Sequence, residues 1–247
     1  MKKQEKMHPR NLLKLFIFFF AFFVFLPFAE ARSLHHSSMQ EKILNSCSGD
    51  YAIFSRGSQK IFFLVRENSP ETTWVEITEF SNLTQQEKKM IEQQSWKQAF
   101  HQLQSPRKVY LLRISRDSLS IFVLKNTHWV AFQRKDPLPF FVKILRLPLS
   151  PAPNHLIKYK GKERTPWSPK TSFDGNPVIL PSRAWISIWP KDSSPLSEKN
   201  ILMYFSDEEN LAFPLWTSID TPTGTVIIKT LELGHQASSP YPALPNF

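Results

Sequence analysis

The stretch Tyr51-Ala52-Ile53-Phe54-Ser55-Arg56-Gly57-Ser58-Gln59-Lys60-Ile61-Phe62-Phe63-Leu64-Val65-Arg66 decides the fold class. Two apolar runs, at 51–55 and 60–66, are rich in Ile, Val, Phe and Leu, and the breaker Arg56-Gly57-Ser58 lies between them. Aromatic and β-branched side chains suit a pleated, half-buried surface, whereas glycine and serine suit a tight turn. A gap this short joins antiparallel neighbours, because parallel strands need a long crossover.

The same pattern runs along the chain. Apolar runs at 72–79, 108–115, 119–125, 128–134 and 140–146 alternate with breaks such as Asn68-Ser69-Pro70, Arg116-Asp117-Ser118 and Asn126-Thr127. Runs at 184–189, 199–206, 211–219 and 225–232 follow. All of these read as strands. One long helix is expected over 84–104, where Thr84 and Glu87 form a capping box and Ser105-Pro106 ends the segment. Trp96, Ala99, Phe100 and Leu103 share one face of it at helical spacing. The fold class is therefore α+β and β-rich: a twisted, mostly antiparallel sheet, half-barrel or sandwich-like, with one long helix.

The ends differ from the middle. Lys2, Lys3, Lys6, Arg10 and Lys14 precede an apolar run from Leu15 to Phe28, and Ala29-Glu30-Ala31 has the small residues of a cleavage site. Residues 1–31 read as a signal peptide cleaved after Ala31, with an uncleaved anchor as the alternative. The fourteen-residue run covers about 21 Å as a helix, short of the ~30 Å hydrocarbon core. Residues 32–47 read as a flexible N-terminal segment with a short helix near Ser38 to Asn45. One β-rich domain is expected over 48–235, with a Pro-rich excursion at 148–181, and a disordered tail over 236–247.

The chain has 247 residues, with 31 Lys plus Arg, 21 Asp plus Glu, and a net charge of +10. The signal carries five basic and two acidic residues and eight of the 21 Phe, so its removal leaves +7 over 216 residues. A single cysteine, Cys47, excludes both an intrachain disulfide scaffold and a Cys-rich zinc module. With six glycines and none of the phosphate-loop, zinc-helix, nucleophile-elbow or calcium-loop motifs, no cofactor, metal site or catalytic residue is assigned.

Two features stand out as candidate binding residues. In an extended conformation Lys158, Lys160, Lys162 and Arg164 project from one face and concentrate positive potential, with Tyr159 and Trp167 nearby to stack on a ligand. In Trp185-Ile186-Ser187-Ile188-Trp189, Trp185 and Trp189 share one strand face and the isoleucines share the other. Such a strand is either buried on both sides or lines a cavity. The Pro242-Ala243-Leu244-Pro245 spacing reads as part of a loose terminus.

A curved sheet around a helix resembles the exported half-barrels of the lipoprotein-carrier (LolA-like) type, through the order of elements from Tyr51 to Glu232. That resemblance implies an apolar groove for acyl chains, and it carries no binding residue across. The leading expectation is an exported, periplasmic or secreted, non-catalytic binding protein. Its expected partners are a lipid, an anionic glycan or an envelope protein, with peripheral membrane contact if the signal is cleaved and no nucleic acid. The alternatives are an interaction or structural subunit of a cell-envelope assembly and an enzyme of unrecognised type. A paired histidine and carboxylate, or Cys47 beside a histidine, would favour the last.

Overall fold

Helix α1 (Met39–Leu44) leads into a six-strand meander: β1 (Tyr51–Arg56), β2 (Gln59–Asn68), β3 (Thr73–Phe80), β4 (Pro106–Ile114), β5 (Leu119–Lys125) and β6 (His128–Ala131). Helices α2 (Gln85–Gln93) and α3 (Trp96–Ala99) interrupt it between β3 and β4. Helix α4 (Phe140–Leu145) follows, then five short strands, β7 (Ser150–Pro151), β8 (Tyr159–Lys160), β9 (Thr165–Pro166), β10 (Lys170–Phe173) and β11 (Asn176–Ile179). The last four are β12 (Ser182–Ile188), β13 (Asn200–Ser206), β14 (Pro214–Thr221) and β15 (Gly224–Gly234). This computed structural model describes residues 38–104, 106–133, 140–162, 165–208 and 211–245.

Thirteen strands form one open sheet in the order β6-β5-β4-β3-β2-β1-β15-β14-β13-β12-β7, with β10 and β11 attached at β15. The α+β, β-rich, mostly antiparallel class is therefore correct; the β10–β15 pair is parallel, with Ser172 opposite Glu232. The turn between β1 and β2 is tight: Arg56 pairs with Gln59, and Gly57 takes a φ of 58°, a region cheap only for glycine. The first strand and the last meet at the centre, from Tyr51 opposite Gly234 to Ser55 opposite Lys229.

Alternation along the strands makes two faces. Ala52, Phe54, Phe63, Val75, Ile77, Leu112, Met203, Phe205 and Leu215 turn to the main core, together with Phe141, Val142, Ile144 and Leu145 of α4. Tyr51, Ile53, Phe62 and Leu64 turn to the opposite, outer face and pack on Trp96, Phe100 and Leu103. Phe62 stacks on Phe100 with ring centroids 3.9 Å apart. Strands β1 and β2 are thus buried on both sides, which explains their nearly unbroken apolar sequence.

Four expectations need correction. The long helix breaks in two: Gln94 is extended, and Ser95 caps α3 by accepting the Gln98 amide. The capping box at Thr84 and Glu87 does form. Phe140–Leu145 form a helix where a strand was expected over 140–146, because four of these side chains are buried and a nearly continuous apolar run has no period to read. The segment 32–47 is anchored where it is described, since Ser38 and Glu41 form a capping box and Met39 and Ile43 are buried. The tail also packs: Ala237 is buried, Tyr241 lies edge-on to Phe100, and Leu244 packs against Trp74, Leu111 and Phe122. Its prolines restrict an extended chain that has a docking surface. The signal expected at 1–31 lies outside the described residues.

Candidate functional site

Strands β13 and β14 place Tyr204 directly opposite Trp216. Trp167, just after β9, joins them, and the three rings stand nearly perpendicular in pairs, with centroids 5.3 to 5.6 Å apart. Edge-to-face contact is the arrangement that ring quadrupoles favour. Over this cluster sits Lys158, with Nζ 4.0 Å from the Trp216 centroid and 5.2 Å from that of Trp167. The Lys158 amide donates to Tyr204 Oη at 2.9 Å, and the Trp167 amide donates to the Lys158 carbonyl at 2.9 Å. Partial burial draws the Lys158 ammonium below its ordinary pKa and pushes the Tyr204 hydroxyl above its own, so the hydroxyl stays protonated.

The hairpin β8–β9 rises from this base. Gly161 turns it with a φ of 71°, and Lys158, Lys160 and Lys162 are all exposed along it. The chain turns between Lys160 and Lys162, so these three residues sit around one hairpin rather than along one extended face. Arg164 lies outside the described residues.

The two predicted tryptophans are elsewhere. In the β12–β13 register Trp185 stands opposite Met203, a core residue, whereas Ala184 stands opposite Tyr204. Trp185 thus belongs to the face opposite the aromatic cluster, packed against the core with Lys42 Nζ 5.6 Å away. Trp189 is only 2% exposed, stacks on Phe140 at 5.7 Å, and donates from Nε1 to Asp192 Oδ2 at 3.0 Å. The face that offered itself as a cavity wall is filled by the protein's own side chains at Trp189. Its exposed partner is Ile188, 60% exposed on the other side of the strand.

Two further arrangements have no local sequence signal. One is a polar network at the β1–β15 seam. The buried Tyr51 hydroxyl donates to Glu232 Oε1 at 2.7 Å, and Lys97 Nζ lies 3.0 Å from Asp174 Oδ1. His235 Nδ1 lies 2.6 Å from Asp50 Oδ1, and the Cys47 amide donates to Asp50 Oδ2 at 2.7 Å. A Cβ on Gly234 would come within 2.4 Å of Asp174 Oδ1, so only glycine admits this carboxylate. Burial and the two carboxylates push the Tyr51 hydroxyl far above its ordinary pKa. The histidine–carboxylate pair is present, but the cavity beside Asp50 and Tyr51 measures about 10 Å³, the space of one water. The network ties four distant segments together. Only proximity in the fold, which no spacing encodes, could have found it.

The other is a groove of about 680 Å³ between the C-terminal segment and strands β4 and β5, lined by Lys108, Val109, Leu124, Asn126, Pro240 and Tyr241. Its volume is in the range of ligand clefts.

The fold and these surfaces define an open-sheet α+β protein with one basic hairpin and a strapped outer face. A family model described as CT021 protein matches residues 61–179. The structure is similar to that of the hypothetical protein CT021 from Chlamydia trachomatis, with 70% sequence identity and a TM-score of 0.74. The match covers 85% of this chain and 98% of that one. The chain belongs to the CT021 family. Among curated proteins none matches it.

Proposed function

We propose that the protein is an exported, non-catalytic binding protein whose β8–β9 hairpin takes an anionic group, such as a lipid headgroup or an acidic glycan. One observation carries this reading. Lys158, Lys160 and Lys162 are exposed around the β8–β9 hairpin, whose base packs on Trp167, Tyr204 and Trp216. A rigid base keeps the positive charges together against their own repulsion, which raises local potential toward an anion. The signal-like N-terminus of the sequence supports export, and the net positive charge supports an anionic partner.

The test is co-sedimentation with vesicles of phosphatidylglycerol and phosphatidylcholine, and with phosphatidylcholine alone. Each basic residue near an anionic surface contributes about 1 kcal/mol, so Lys160→Glu with Lys162→Glu lowers partitioning by more than about tenfold. Binding falls with added salt. Equal binding to both vesicle types, or no effect of the two reversals, rejects the lipid form. Titration with a sulfated oligosaccharide then decides the glycan form by the same pair of variants.

A further inference from the structure

The C-terminal segment crosses the outer face of the first meander. The Ala237 amide donates to the Gly49 carbonyl at 2.9 Å, and Ser239 Oγ donates to Glu76 Oε2 at 2.6 Å. Further along, Arg66 Nη1 donates to the Pro242 carbonyl at 2.8 Å. Trp129 Nε1 donates to the carbonyls of Pro242 and Ala243, at 3.4 and 3.2 Å. Leu244 packs on the cluster of Trp74, Leu111 and Phe122.

The chemistry of this segment is specific. Pro240, Pro242 and Pro245 have no amide hydrogen, and each biases the residue before it toward extended backbone. A chain of this kind is stiff before it docks, so it loses little entropy, and its carbonyls stay available as acceptors. The receiving face supplies what such a chain needs: a planar guanidinium, an indole N–H and flat aromatic surface, all on strands. An aromatic-lined groove with fixed donors aimed at carbonyls is a mode of reading extended proline-rich segments.

We infer that the Arg66–Trp129 face is a binding surface for extended proline-rich peptides, occupied in the free chain by its own residues 239–245. The partner it takes is a protein bearing an exposed segment with prolines at alternate or third positions, and the strap is the competitor that such a segment displaces. The adjoining groove at Lys108, Leu124 and Asn126 gives the incoming chain room beside the strap before exchange. This surface is separate from the basic hairpin, and either can fail without the other.

The test uses the full chain and a fluorescein-labelled peptide of residues 237–247. In the wild type the tethered strap competes at an effective concentration in the millimolar range. Tyr241→Ala with Leu244→Ala loosens it, and fluorescence anisotropy then shows saturable binding at least about tenfold tighter than to the wild type. Adding Trp129→Phe, which keeps a ring but removes the N–H, weakens that binding by about threefold to tenfold. A peptide with its prolines replaced by alanine binds more weakly by a similar factor. The inference is overturned if the loosened chain, folded by its near-UV circular dichroism, does not bind, or if the alanine peptide binds equally well. Dimers that form only in the loosened chain assign the occupant to a second copy and overturn the partner reading. Leu244→Ala alone serves where the double variant does not fold.

Discussion

Glu76 is 1% exposed, and its Oε1 has no hydrogen-bond partner among the described residues. Oε2 accepts from Arg66 and Ser239. Burial outweighs both contacts and raises its pKa from 4.5 to about 7. In the unfolded chain the carboxyl ionises near its ordinary value, so the folded state is favoured while Glu76 is protonated. The stabilisation is complete below about pH 4.5 and is lost as pH rises through about 7, a change on the order of 3 kcal/mol. Glu76→Gln keeps an acceptor for Arg66 and Ser239 and removes the proton. Urea midpoints should therefore shift between about pH 5 and pH 8 in the wild type and stay level in the variant at this site. A wild-type profile no steeper than that of Glu76→Gln would reject this role. Residue by residue, the sequence exposed what is local. Thr84 and Glu87 lie three apart and cap a helix as read, whereas the segment expected to run extended from Lys158 turns at Gly161. Asp50 and His235 are 185 positions apart, and nothing short of the folded sheet brings them to 2.6 Å.

At the scale of elements, α4 is the plug of the main core. Phe141 stands between Phe54 and Phe63, with centroids 6.0 and 5.2 Å away, and Leu145 is fully buried. Leu145→Ala leaves a cavity among atoms that strands on several sides hold in place, and should cost about 2–5 kcal/mol in a denaturant titration. A loss below about 1 kcal/mol would mean that the helix is not part of the rigid core. The run at 140–146 looked like a strand because Lys143 is the single interruption in the apolar stretch from Phe140 to Leu145. Ser95 had the same ambiguity in reverse: inside a helical pattern it reads as a tolerated polar residue, yet its hydroxyl caps a new helix. Ser95→Ala should cost about 1 kcal/mol and reduce amide protection in 96–102, read by hydrogen exchange. The proline content of the tail pointed to a disordered terminus. It carried no information about whether a partner surface existed, and Trp129 and Arg66 supply one.

At the scale of the molecule, the sheet has two meanders joined by one seam, β1 with β15. Ala52, Ile53, Leu233 and the Tyr51–Glu232 hydrogen bond are all buried there. Because the seam is central, the meanders should unfold together, with coincident near-UV and far-UV transitions. Thr230→Pro, which puts a residue without an amide hydrogen opposite Phe54 in the seam strand, should lower both by the same amount; separate midpoints would show that each meander stands alone. The seam has one more consequence, for the order of events in the cell. A chain is made from its N-terminus, and β1 cannot find its second neighbour until the last strand, residues 224–234, has been synthesised. Until that strand has been made, the first meander therefore has an open flank of unpaired backbone beside Phe54 and Ile53. Something must keep that flank from neighbouring chains until the final strand closes it.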